Sequence, residues 1–270
     1  MRALLVVIHG ILTRQTEASW PDHFDAWLAR RDPECRVLKK EYRAGPFPRW
    51  NNWIKNRQLA RGLAAEIELF RSRPASENPV PEGALSSNSL PPTWFIAHSN
   101  GAVIALLATQ RLIARGCWVG GLILTGAACE ADLDRNGILH WVRSGRVGAA
   151  IAYGSAEDHV LAGDPRAMPS FGSKLRQWAW RKLLWPYGCL GRTGWTWPGH
   201  TPRRSIANPE DPAKLCPTPF PNISMRWFSG GHSSYFDPSN RIATFELFYH
   251  DVLATSPQVP AVPPSFLTQP

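Results

Sequence analysis

The chain has 270 residues, 44% apolar and 19% charged, a balance that excludes a disordered polymer and suits one globular domain able to bury a full core. A formal charge of +9 admits an anionic partner, yet no run of five or more basic residues and no nucleic-acid-binding motif occurs, so no nucleic acid is expected and the charge reads as an Arg-rich solvated surface. Five cysteines (Cys35, Cys117, Cys129, Cys189 and Cys216), odd in number and without a C-x-x-C pair, argue against a zinc site or a disulfide framework and suit a reducing cytosol, with a Cys189–Cys216 bridge left open.

In chain order, Ala3–Ile8 is the first short apolar run; it passes directly into His9-Gly10, unlike a secretory signal. No apolar stretch approaches the ~18 residues of a membrane-spanning helix, and a cytoplasmic location is expected. Pro21–Arg31 carries Phe24, Trp27 and Leu28 on one helical face. Cys35–Tyr42 alternates apolar and polar residues and reads as a strand near a sheet edge, and Asn52–Arg73 is helical with Ile54, Leu59, Leu63, Ile67 and Phe70 in register. Pro74–Pro92 reads as a surface loop. Thr93–Ala97, Gly121–Thr125, Gly148–Tyr153 and Ile223–Phe228 are further apolar runs without clean alternation, as expected of parallel strands covered on both faces. Helical patterns fall between and after them, at Asn100–Ala114, Ile138–Arg146 and Pro238–Leu253, the last with Asp237 as the expected N-cap. Strands alternating with helices predict an α/β fold, a mostly parallel sheet of about six strands with helices on both faces.

Two segments break that rhythm. Asp164–Pro221 separates the last two strands by far more than one helix requires, and its stretch Lys174–Trp185 is basic and aromatic. It reads as a lid-like insertion over an apolar acyl site, or a peripheral contact with an anionic membrane, against the plainer reading of a core-packing helix with snorkelling cations. Ser256–Pro270 is a Pro-rich tail. The domain is therefore expected to span residues 1–255, with 164–221 as the insertion and 256–270 as the tail.

The chemistry gathers at Ala97-His-Ser-Asn-Gly101, where a buried strand meets a helix of small residues. That is the setting of a nucleophile elbow, in which Ser99 occupies a strained turn and its neighbours two residues away must be small; Ala97 replaces the usual glycine. A serine hydroxyl needs a base, and His232 follows the last strand in a Gly-flanked loop. The imidazole needs a carboxylate, and Asp158 follows the strand Gly148–Tyr153; Glu157, Asp132 and Asp134 are its rivals. All these groups lie beyond carboxyl ends of strands, where open α/β sheets bind ligands. Backbone N–H groups of Asn100 and of Ile11, or of Leu12 instead, would form the oxyanion hole.

With His9-Gly10, the elbow, Gly154-Ser-Ala-Glu-Asp158 and Gly231-His232-Ser-Ser-Tyr-Phe, the sequence resembles the α/β-hydrolase superfamily of serine esterases and lipases from about residue 3 to 253. The order Ser, Asp, His agrees with that resemblance. The resemblance implies a carboxylic-ester hydrolase working through an acyl-enzyme, with Ser99, His232 and Asp158 as catalytic residues, no metal or organic cofactor, and a small-molecule ester or acyl substrate. Thioester or amide cleavage and acyl transfer use the same machinery. It also implies that the first two strands of the common eight-stranded pattern are absent. No partner protein is inferred. The competing reading is a non-catalytic α/β-hydrolase scaffold that binds a ligand or an anionic lipid surface.

Overall fold

Every residue of the first apolar run is buried, which requires a strand covered on both faces. The computed structural model, which describes residues 2–10, 19–42, 54–72, 91–161, 190–197 and 216–254, places that strand inside a seven-stranded sheet. The strands are β1 (Ala3–Ile8), β2 (Cys35–Lys40), β3 (Thr93–His98), β4 (Val119–Thr125), β5 (Val147–Gly154), β6 (Cys216–Pro217) and β7 (Ile223–Trp227). Their spatial order is β2-β1-β3-β4-β5-β7-β6, and every pairing is parallel except β6 with β7. The seventh strand is the departure from the expected six. It is two residues long, lies within 164–221, and adds to the edge of β7 with a proline, a residue suited to sheet edges. Cys216 is a free thiol, and Cys189, its partner in the bridge left open by the sequence, lies outside the described residues.

Helices α1 (Trp20–Arg31), α2 (Asn56–Ser72), α3 (Gly101–Ala114), α4 (Ile138–Arg143), α5 (Leu190–Thr193) and α6 (Arg241–Ala254) complete the described elements, with a 3-10 turn at Ser234–Phe236. Alternate strand residues feed two cores. Leu4, Val6, Ile8, Phe95, Ala97, Leu122 and Leu124 pack beneath α2, α3 and α4. Leu5, Val7, Trp94, Ile96, Ile123, Ile151 and Tyr153 pack beneath α1 and α6. Volume is matched across neighbouring strands: a Cβ on Gly121 of β4 would fall 2.2 Å from the Trp94 ring of β3, so the glycine makes room for the indole.

The last helix starts later than its sequence suggests. The Asp237 carbonyl accepts from the main-chain N–H groups of both Asn240 and Arg241, closing a tight turn after the 3-10 segment, and the helix follows at Arg241. Asp237 thus ends one element instead of capping the next. Beneath α6 lies a buried ionic network. Arg226 of β7 donates from Nε and Nη2 to Asp251 Oδ2 and Oδ1 (2.9 and 2.5 Å), and the Tyr153 hydroxyl donates to Oδ2. Both charged side chains are only 4% exposed. Removing one member strands the other charge in a low-dielectric site. Asp251→Ala is therefore expected to destabilise the fold by about 3–5 kcal/mol, read from urea unfolding.

Candidate active site

Between β3 and α3 the backbone turns through Ser99, whose φ of 55° lies in the left-handed region that costs a side-chain-bearing residue about 1–2 kcal/mol. Three bonds hold it there. Its N–H donates to the Thr125 carbonyl (3.0 Å), and its own carbonyl accepts from Ala102 and Ala128 (3.1 Å each). The close approach explains the small neighbours. A Cβ on Gly101 would sit 2.9 Å from the carbonyl oxygens of Ile8 and His9, and one on Gly10 would sit 2.7 Å from the Ser99 Cβ. Ala97 is fully buried, paired with Ile8 and Leu124 of the flanking strands.

His232 and Asp158 meet Ser99 in one hydrogen-bonded chain. His232 Nδ1 lies 2.7 Å from Asp158 Oδ2, and His232 Nε2 lies 2.9 Å from Ser99 Oγ. A carboxylate only accepts, so Nδ1 carries the hydrogen, and bare Nε2 is left to accept from the serine hydroxyl. Asp158 is fully buried, its other oxygen accepting from the Leu161 N–H at 2.9 Å. The two loops that present this pair are clamped together. Ser155 Oγ donates to the Gly230 carbonyl (2.5 Å), and the Gly230 N–H donates to Glu157 Oε2 (2.6 Å). Glu157, a sequence rival for the acid position, therefore serves the loop backbone. Asp132 is bonded to the N–H groups of Asp134 and Arg135 instead of an imidazole.

Several neighbours carry no sequence signal. Asn100 and Asn56, both fully buried, exchange side-chain bonds at 3.0 and 3.2 Å, and Asn100 Nδ2 also donates to the Tyr42 hydroxyl at 2.7 Å. The Asn100 main-chain N–H donates to no described residue. Arg192 of α5 donates to the Asp158 carbonyl at 3.2 Å. The α5 segment is bound to the site on several sides: Gly191 donates to Ala127 and accepts from Ser155, while Leu190 donates to Cys129. A Cβ on Gly191 would fall 2.4 Å from backbone atoms of Gly126 and Ala127. Trp195 packs in the core with its N–H on the Ser224 carbonyl.

His98, next to Ser99, is buried, and burial first, then the neighbouring His232 and His9 rings, push its protonation well below the ordinary histidine range. The unfolded chain protonates such a group near ~6.5. The stability tied to neutral His98 is thus complete above that pH and is lost as pH falls below it, the dependence steepening toward one proton taken up per molecule on unfolding. Urea unfolding from pH 7.5 to 5 is expected to show a steeper acid loss for the wild type than for His98→Phe, the difference measuring this one group.

Ile11 and Leu12, and the stretch Lys174–Trp185, lie outside the described residues, as do the tail 256–270 and most of 164–221. Among the described residues no group of three or more His, Cys, Asp or Glu side chains is placed to hold a metal ion, and no helix is long and apolar enough to cross a membrane. A serine after β3, a carboxylate after β5 and a histidine after β7, on one mostly parallel sheet, is the arrangement of the α/β-hydrolase fold. No family model and no curated protein matches the chain. Among solved structures it is similar to human thioesterase 2 (11% identity, TM-score 0.43, 94% of this chain and 99% of that one). It is also similar to the RedJ thioesterase of the prodiginine pathway in Streptomyces coelicolor (14% identity, TM-score 0.41, 93% and 86%). The type II thioesterase BorB of the borrelidin cluster is a third (11% identity, TM-score 0.41, 93% of each).

Proposed function

We propose that the chain is a serine hydrolase that cleaves a carboxylic ester through an acyl-enzyme on Ser99. The unbroken chain from Ser99 Oγ through the His232 imidazole to the Asp158 carboxylate carries this reading. His232 Nε2 takes the hydroxyl proton as Oγ attacks the acyl carbon. The imidazolium formed is stabilised by buried Asp158 and gives its proton to the leaving alkoxide as the carbon–oxygen bond breaks. Water then attacks the acyl-enzyme with His232 again as the base, releasing the carboxylic acid and restoring Ser99.

The negative oxygen of each tetrahedral intermediate needs N–H donors fixed in advance. The Asn100 N–H is one, uncommitted and at the start of α3, with its residue held by the Asn56 and Tyr42 bonds. The second is expected from Ile11. Serine, imidazole and carboxylate suffice for this chemistry without a metal or organic cofactor.

Purified protein treated with a fluorophosphonate probe is expected to carry one adduct, on Ser99 by peptide mass spectrometry. Folded protein that stays unlabelled would overturn the hydrolase reading in favour of a binding scaffold. A panel of p-nitrophenyl esters and acyl thioesters of graded chain length then fixes the acyl class. Faster turnover of thioesters than of matched esters would replace ester with thioester in the assignment.

A further inference from the structure

Three histidine rings gather beside Ser99, and the mechanism uses only one. The His98 ring lies 4.9 Å from that of His232 and 6.3 Å from that of His9, and edge-on to Phe236 at 5.2 Å. Its Nε2 is 3.0 Å from the main-chain carbonyl oxygen of His232. A carbonyl oxygen only accepts, so Nε2 carries a hydrogen and donates. The ring is neutral, which leaves Nδ1 bare, and Nδ1 is buried with no hydrogen-bond partner among the described residues.

An orphaned ring nitrogen is a cost that an apolar residue at the same place would not incur. What the histidine supplies in return is a single bond to the backbone of the base. Two further anchors of that loop reach Gly230, two residues upstream: Ser155 and Glu157 hold its carbonyl and N–H. Among the described residues only His98 grips the carbonyl of His232 itself. Gly126 leaves the space beside that oxygen open, where a Cβ would stand 3.1 Å from it.

We propose that His98 is a positioning residue for His232: its Nε2–H pins the His232 peptide so that one imidazole reaches Ser99 and Asp158 together. The catalytic consequence rests on the hydrolase reading above; the pinning does not. The serine's neighbour along the chain thereby fixes the base that must activate the serine, and the two ends of the proton transfer share one strand terminus.

The test compares the wild type with His98→Phe, which fills the ring volume without a donor, and His98→Gln, whose side-chain N–H reaches about as far as Nε2. All are full-length and ¹⁵N-histidine-labelled. The wild type and His98→Gln are expected to show a sharp low-field resonance for the His232 Nδ1–H held by Asp158, and His98→Phe to lose it. For a p-nitrophenyl ester, kcat should fall about 10- to 100-fold in His98→Phe with KM nearly unchanged, and His98→Gln should restore most of it. An unaltered resonance and kcat in His98→Phe would overturn the proposal. So would a His98→Gln variant as impaired as His98→Phe with the same drop in melting temperature, since the donor would then be irrelevant. Should the wild type resist the fluorophosphonate and every ester, the hydrolase reading fails, and the resonance alone decides whether His98 pins His232.

Discussion

Ser99→Ala is expected to lower kcat for an activated ester on the order of 10⁵- to 10⁶-fold and to abolish fluorophosphonate labelling, while the protein stays folded. The size of the effect follows from what remains. Without Oγ no acyl-enzyme forms, and only N–H donors and substrate binding are left to assist attack by water. The fold should hardly notice. Alanine keeps the same Cβ at the same positive φ, so the turn is no more strained, and the bonds that fix it run through the backbone to Thr125, Ala102 and Ala128. The hydrogen bond lost to His232 is part-buried and contributes about 1 kcal/mol. Turnover within tenfold of the wild type, with an unchanged melting curve, would remove Ser99 from the nucleophile's role.

For Asp158→Asn the loss should reach about 10³- to 10⁴-fold, through the imidazole and not through packing. The Leu161 N–H faces one carboxylate oxygen and His232 Nδ1 faces the other. An asparagine would turn its carbonyl oxygen to the Leu161 donor and so present its NH₂ to Nδ1. Nδ1 must then accept, the ring hydrogen moves to Nε2, and Nε2 can no longer take the proton of Ser99. The variant would hold its shape with the wrong tautomer. Glu157→Gln, by contrast, keeps an oxygen for the Gly230 N–H and should cost less than about tenfold. If Glu157→Gln were crippled and Asp158→Asn active, the acid would have to be reassigned.

The sheet could be read from the sequence because doubly covered parallel strands are continuous apolar runs, and Ala3–Ile8 is a buried strand over the whole of its apolar run. Ser99, Asp158 and His232 were legible for a related reason: each sits just beyond a strand end, and the fold orders strand ends. What escaped was whatever depends on contact between distant parts of the chain. Nothing near Asn56 announces that its amide will meet that of Asn100, forty-four residues on. Nothing in the five-residue motif singles out the imidazole of His98, whose bond spans 134 residues. The late start of α6 was missed because Asp237-Pro238 also suits a turn, and the tight bonds at Asn240 and Arg241 decide between the two. The paired strand at Cys216–Pro217 is too short for any periodicity to mark.

The stretch that divides β5 from β7 is not one detachable unit. Residues 190–197 at its middle are stitched into the body: Leu190 and Gly191 to the chain after β4, Thr196 to Ala131 and Leu133, Trp195 to Ser224 of β7, and Arg192 to the backbone of Asp158. An engineer who grafts the whole of 164–221 from a cousin, or trims it away, would tear out the bonds that tie the loop of Asp158 to the chain after β4.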